Sequence, residues 1–512
     1  MLEHNLHIRK AQKLGMLFLM AFVGVFSTKS LAQVQNSSEN ALLTISLEEI
    51  LTIARINSLD VFKAKRQYEV NHWSFRSYKS SILPKVDLKI EPLNYNRSIV
   101  ERYDSEQNID VFRQQQVLSS YAYLSLNQKI RATGATVFVN SSFDRIMNFG
   151  DEEYLNYIVS PIRIGFNQPL MAFNEFKWDH KTEPVKYSLA KKKYLNNLAQ
   201  LQLKAVSLFF NWALASNRVA IAKENNLSAT KLFKIGKKRY EIGAIEKDDI
   251  LNLELELFNS ETNLTKLEKG LEKAEVDLMI FLRKNQWNYS APKLPELISN
   301  LHIDISQANE LAKINNPDLL NLKLKRIVGN RDLDRAIKEN RFDLSLIASY
   351  GLNQQGGDIQ DVYSSFLDQQ MIAIQMNIPI LDWGERKGNI KMAKTNKEVV
   401  NIEIQQEGEK LKQEISLKVT DFNLQEQLVL GDLRSKEISR ESYEVTQKRF
   451  LSGSVDLLKL TSARKSWQAA SETYIQSLYN YWKFYYEVQQ LTLFDFINNK
   501  ALEANFEKIV DN

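Results

Sequence analysis

Two parts of this chain are too long and too regular in helical period to fit inside a compact globule. No proline lies between Pro184 and Pro292, and none after Pro379. In the first of these stretches Ile250, Leu253, Leu257, Ser260, Leu264, Leu267, Leu271, Ala274, Leu278 and Phe281 step by three and four without a slip. Such spacing keeps one face of an α-helix apolar, as in a coiled-coil seam. A displacement of 210 residues gives the same register again, as Leu460, Ala463, Trp467, Ala470, Tyr474, Ser477, Tyr481, Phe484, Val488 and Leu491. Upstream, Leu198, Leu201, Ala205, Leu208, Trp212, Ala215, Val219, Ala222, Phe233 and Tyr240 extend the first seam backwards. They predict a helix from about 185 to 241, roughly 85 Å long at about 1.5 Å per residue.

Each long helix must then reverse. Residues 237–264 read KKRYEIGAIEKDDILNLELELFNSETNL and residues 447–474 read QKRFLSGSVDLLKLTSARKSWQAASETY. Both carry a basic residue, an aromatic and a glycine before the next helical pattern begins. Glycine adopts the left-handed conformation that ends a helix, so Gly243 and Gly453 are read as the tips of two antiparallel helical hairpins. The acids Asp248 and Asp249 follow the first tip. As a carboxylate pair they could do acid–base work, but acids in the first turn of a helix more often complement its dipole.

The N-terminus reads as an export signal. Basic residues between His7 and Lys13 precede the apolar run Leu14 to Phe26, and Ser30-Leu31-Ala32 is a small-x-small cleavage site. The run is shorter than the ~20 apolar residues a bilayer span needs, so residues 1–32 are expected to be removed. Four bases and one acid go with them, which takes the formal charge from +5 to +2. That balance gives no electrostatic reason to expect a nucleic-acid partner. Cysteine is absent, so an exported chain must be held by its own packing or by subunits.

No later segment resembles a transmembrane helix, so entry into a membrane requires a closed β-barrel. Suitable strands exist. Along residues 370–381 Ile372, Ile374, Met376, Ile378 and Ile380 share a face opposite Ala373, Gln375, Asn377 and Pro379. Along residues 341–353 Phe342, Leu344, Leu346, Ala348, Tyr350 and Leu352 oppose Asp343, Ser345, Ser349 and Asn353. Period-two segments of about 10 residues match membrane strands and equally a half-buried soluble strand. The residues between them, GGDIQDVYSSFLD, read as an exposed loop.

The chain also repeats itself. Phe166 to Leu170 matches Met376 to Ile380 at the offset of 210, and Leu47 to Asp60 matches Ile305 to Asp318 at an offset of 258. The first half therefore holds 48 extra residues. Within them Tyr121 to Ile130 and Ala135 to Phe143 alternate around Ala132-Thr133-Gly134, which predicts an additional β-hairpin. Two structural repeats result, 33–300 and 301–512, each running helix, strands, long helix, glycine tip, helix.

This plan resembles the TolC-like outer-membrane efflux protein family across essentially the whole mature chain. The resemblance rests on the strand ends Asn167 to Leu170 and Asn377 to Ile380, the turn Leu381-Asp382-Trp383-Gly384, and the tips Arg239-Tyr240-x-x-Gly243 and Arg449-Phe450-x-x-Gly453. It implies a mixed α+β membrane protein. Three copies, with four strands each, would close a 12-stranded outer-membrane β-barrel continuous with a periplasmic α-helical coiled-coil barrel. Four strands from one chain fall short of the ~8 of the smallest membrane barrels, which argues for partners independently. The residues near 288–304, with Pro292 and Pro295, and the tail after Leu491 resemble the family's equatorial belt.

The resemblance implies a passive exit duct of a tripartite efflux or type I secretion system in a Gram-negative outer membrane. An inner-membrane pump of RND or ABC type would drive it through a periplasmic adaptor. Adaptor docking then falls to Arg239, Tyr240, Gly243, Arg449, Phe450 and Gly453, and the gate to Asp248, Asp249, Lys459 and Ser462. The family's gating aspartate corresponds to Asp249. At the second tip the same position is Lys459, and the further acid is Ser462. A cation there departs from an acidic ring and suggests an Asp249–Lys459 attraction between hairpins, beside the plainer reading of a solvated lysine.

No enzyme is expected. Only His72, His180 and His302 survive signal removal, widely spaced and without cysteine, so no metal or nucleophile spacing is present. Phosphate-loop, dinucleotide and GxSxG motifs are absent, and no cofactor is expected. The alternative function is a structural or adhesive envelope protein with a coiled-coil stalk. The apolar breadth at Phe209, Phe210, Trp212 and Leu214 favours a tube wall, which meets neighbours on two sides.

Overall fold

Helical order begins at caps that the sequence supplies. Ser46 ends the short strand β1 (Thr44–Ser46) and caps α1 (Leu47–Asn57), exchanging hydrogen bonds with Glu49. Ser58 then breaks the chain and caps α2 (Leu59–Ser81). In the second half Asp304 caps α5 (Ile305–Asn315), and Asn316 accepts from Asp318 N and Leu319 N to start α6 (Pro317–Glu339). Both helix pairs measure 11 and 23 residues. The computed structural model describes residues 44–104, 108–149 and 153–510, so the expected signal peptide lies outside the described residues.

The long helices keep the other offset. α3 (Glu175–Glu241) and α7 (Glu385–Leu451) are each 67 residues, and α4 (Lys247–Leu282) and α8 (Leu457–Thr492) are each 36. At ~1.5 Å per residue the longer pair span about 100 Å. α3 starts ten residues before the expected position and continues through Pro184. The Asn174 side chain accepts from Lys177 N at 3.0 Å, and Trp178 donates to Asp334 of α6 at 2.8 Å. These contacts hold the first turns despite the N–H that proline lacks. α7 starts differently. Asp382 accepts from Arg386 Nε at 2.6 Å, and from the N–H groups of Arg386 and Gly384. These hydrogen bonds, the Arg386 side chain first, hold its carboxyl well below the usual carboxylate range.

The long strands form one antiparallel sheet of six rather than the four that the family resemblance implies. Its order is β2 (Lys85–Asp104), β3 (Ile109–Lys129), β4 (Thr136–Phe149), β5 (Glu153–Pro169), β7 (Asp343–Gly356) and β8 (Leu367–Asn377). The additional hairpin is β3–β4, longer than its predicted core and inserted between β2 and β5. β8 ends at Asn377, before Pro379, so Ile378 and Ile380 lie beyond the ladder. The β7–β8 connection is only partly exposed, because Val362, in a 3₁₀ turn, is buried.

At the level nearest the helices a largely apolar row lies beside a polar one. One ladder row is Val86, Leu126, Val139, Ile164, Tyr350 and Gln370; the adjacent row is Asp87, Ser125, Asn140, Arg163, Gly351 and Gln369. Ser125 and Asn140, in the polar row, are only 7% and 8% exposed. On the opposite face, Ile374 is 71% exposed.

The main core lies midway along the helices. Phe209, Trp212, Phe422, Tyr481 and Tyr485 are buried there with parts of α1, α4 and α5. Trp212 packs edge-on against Trp287 at 5.0 Å, and Phe210 lies 5.6 Å from Tyr479. The breadth of α3 noted in the sequence is therefore covered at this level by the chain's own belt. That belt contains β6 (Ala291–Lys293), parallel to β1. After α8 the tail forms β9 (Phe494–Asp495), β10 (Lys500–Ala501) and α9 (Phe506–Val510). Its Leu493 and Ile509 pack with Ala64, Tyr68, Tyr194 and Leu195.

Candidate functional site

The two tips are built from one backbone device. At the first, Gly243 N donates to Tyr240 O at 2.9 Å and Ala244 N to Arg239 O at 2.7 Å. At the second, Gly453 N donates to Phe450 O at 3.0 Å and Ser454 N to Arg449 O at 2.9 Å. This is the Schellman pattern, which satisfies the last helical carbonyls and needs a left-handed residue. Gly243 and Gly453 supply it, at φ +72° and +79°.

The following helices are capped by different acids. Asp249 accepts from Glu246 N at 3.4 Å, whereas Asp456 accepts from Lys459 N at 2.8 Å. Asp248 is exposed in the first turn of α4. No ion pair joins Asp249 to Lys459 within the described residues of this chain. Lys459 and Ser462 instead line an open groove of 700 Å³ between α7 and α8, together with Ser435, Ser439, Ser442 and Ser466. Sequence reading missed this hydroxyl-rich lining, although 435, 439 and 442 fall at helical spacing.

The tip aromatics divide. Phe450 packs on the cluster of Ile221, Leu232, Leu253, Tyr443, Leu460 and Trp467, while Tyr240 is 43% exposed. Tyr443 stacks on Trp467 at 5.2 Å, and burial pushes its hydroxyl above the usual range. Arg449 is exposed, whereas Arg239 donates to the carbonyl of Leu451 at 3.4 Å and ties one hairpin to the other. Further ties are Arg464 to Glu256 and Arg218 to Glu472 at 2.7 Å. The two hairpins thus form one packed tip, and the seam along each helix does not say which residues cross between them.

Among the described residues no group of side chains could hold a metal ion, and no helix is long and apolar enough to cross a membrane. Within the described residues one six-stranded antiparallel sheet runs directly into two paired helical hairpins. Solved structures share this arrangement at the level of fold. The chain matches the Campylobacter jejuni CmeC outer membrane channel with a TM-score of 0.63 and 16% sequence identity, over 96% of each chain. It matches a membrane protein from Pseudomonas aeruginosa (TM-score 0.62, 13% identity, 92% of this chain and 97% of that one). It also matches the outer membrane protein VceC from Vibrio cholerae (TM-score 0.60, 11% identity, 89% and 97%). No curated protein sequence matches the chain. Residues 309–492 match the family model described as outer membrane efflux protein, and with it the resemblance to the TolC-like outer-membrane efflux proteins is borne out.

Proposed function

We propose that this protein is the outer-membrane exit duct of a tripartite efflux or type I secretion system, a passive conduit assembled from three copies. Its cargo comes from an inner-membrane pump through a periplasmic adaptor. The observation that carries the reading is the incompleteness of a single chain. The sheet has two edges, β2 and β8, each with one neighbour. Lipid tolerates no open edge, so other copies must close it. The helices are incomplete in the same way: Leu251, Leu255 and Phe258 on α4, and Leu417, Leu424, Leu428, Ile438 and Val445 on α7, leave apolar side chains exposed. Neighbouring subunits would cover them, as staves of a tube.

In this reading the polar row of the sheet lines the lumen and the apolar row faces lipid. The tips form the periplasmic mouth, with Asp248, Asp249, Lys459 and Ser462 near the constriction. Arg239, Tyr240, Gly243, Arg449, Phe450 and Gly453 build the surface an adaptor meets. The chain supplies no chemistry of its own and lets cargo pass when the tips part.

Two measurements test this. Cross-linking in membranes should trap trimers, and a product containing only monomer would refute the assembly. Ile374→Arg should impair insertion, since an arginine facing lipid costs up to about 2–4 kcal/mol at the bilayer midplane, whereas Gln375→Arg should assemble. Equal behaviour of the two variants would reverse the facing assignment.

A further inference from the structure

The inserted hairpin changes the size of the barrel. We infer that three copies of this chain close an 18-stranded barrel, half as many strands again as the 12 the family resemblance implies, so that the pore is widest where it crosses the outer membrane. The inference rests on the trimeric duct proposed above and extends it to the bore of the barrel.

β3 and β4 are structural members of the sheet. β3 pairs with β2 from Lys85↔Asn127 to Asp104↔Ile109, and β4 pairs with β5 from Thr136↔Asn167 to Phe149↔Glu153. With the hairpin in place, β2 and β5 are separated by two strands. Between the shifts in register at Glu91/Asn94 and Asn140/Ser142 the face pattern runs through it: Leu126 and Val139 continue the apolar row, Ser125 and Asn140 the polar one. A hairpin lying outside the membrane would have no reason to carry both faces in register with its neighbours.

Side-chain packing and the turn tell the same story. The Phe138 ring lies over Gly165 of β5 so closely that a Cβ there would come within 2.5 Å of it. Removing β4 would uncover that glycine. The turn between β3 and β4 is fastened to the junction of sheet and helix. Asn174, the cap of α3, donates to Arg131 O at 3.0 Å, Gln168 donates to Thr133 O at 3.0 Å, and Arg131 bonds the His180 ring at 2.9 Å. The turn of the hairpin therefore lies at the same level as the junction from which α3 leaves the sheet.

Closure is consistent with the strand directions. Six alternating strands place β2 and β8 antiparallel, so β8 of one copy meets β2 of the next in the sense that continues the sheet. Eighteen is even, as bacterial membrane barrels require. At equal tilt, barrel diameter grows about linearly with strand number, so the bore is about half again that of a 12-stranded barrel. Barrels of 16–18 strands leave an aqueous channel. Control of passage then falls to the helical tips, and the outer-membrane section admits cargo that a narrower barrel would stop.

The chain has no cysteine, so introduced pairs report strand neighbours cleanly in the full-length protein. Lumen-facing pairs are chosen from the polar row. Asp87→Cys with Ser125→Cys, and Asn140→Cys with Arg163→Cys, should each form a disulfide within one chain, since a disulfide needs Cα atoms within about 7 Å. Asp87→Cys with Arg163→Cys should form none. Native mass spectrometry of the same samples should give three copies per particle. A disulfide between positions 87 and 163 would place β2 beside β5 and overturn the 18-stranded barrel while leaving the trimeric duct intact. Failure of the first two pairs would also overturn it. Correct pairs in a particle that is not a trimer would instead sink the duct reading and the strand count with it.

Discussion

The two tips reverse the chain through the same pair of backbone contacts, with glycines within 7° of each other in φ, +72° and +79°. Their side chains have parted company. Tyr240 is exposed where Phe450 is packed, and Arg239 reaches the neighbouring hairpin where Arg449 stays in solvent. The first helix after each turn is capped by an acid three residues inside it at one tip and by the residue before it at the other. A helical reversal asks only for a residue that tolerates positive φ and for free N–H groups. Once those are supplied, one tip can serve as anchor and the other as presented surface.

The largest difference between the tips is expected from the aromatics. Phe450→Ala removes a partly buried ring from the Tyr443–Trp467 cluster and should cost about 2 kcal/mol, below the 3–5 kcal/mol of a fully buried phenylalanine. Tyr240→Ala should cost a few tenths. Thermal unfolding of the purified helical assembly would compare them, and equal losses would show that the tips pack alike.

The glycines should behave identically. No atom lies within 4 Å of a Cβ built at either position, so Gly243→Val and Gly453→Val should each cost only the backbone strain, about 1–2 kcal/mol. Assembly should survive, because the sheet is distant, while export fails. A much larger loss at one site in hydrogen exchange of its last helical turn would reveal hidden packing. Cap removal comes next. Asp456→Ala should destabilise α8 by about 1 kcal/mol, and Asp249→Ala should cost α4 only tenths, given its longer contact. Exchange rates of the first turns would rank them, and the reverse order would contradict the capping assignment.

The smallest effect concerns the charges. Asp249→Lys should loosen the closed mouth by facing Lys459 of an adjacent hairpin, and Lys459→Asp in the same chain should partly restore it. Single-channel currents that change additively would remove the pair from the model, because coupled residues show non-additive effects.

Long-range order was legible in the sequence wherever a period ran uninterrupted. The seam from Ile250 to Phe281 is buried or half-buried throughout, as is that from Leu460 to Leu491. Both tips fell at their glycines because positive φ leaves few alternatives. The start of α3 was misplaced because Pro184 looks like a boundary, and only the tertiary contacts of Asn174 and Trp178 override it. The hairpin β3–β4 was legible in the alternation from Tyr121 to Phe143, but β2 was not. β2 carries Pro92 and a register shift between Glu91 and Asn94, which breaks the alternation that marks a strand. At the tips, the roles of Phe450 and Arg239 depend on which hairpin faces which, and a seam along one helix does not carry that information.

The central claim, that several copies of this chain make a continuous water-filled path, is tested most directly by current through a planar bilayer containing the purified full-length protein. Discrete conductance steps are expected, larger for Asp249→Lys than for the unmodified protein. A protein that inserts yet passes no current, in the unmodified form and in every tip variant, would contradict the claim.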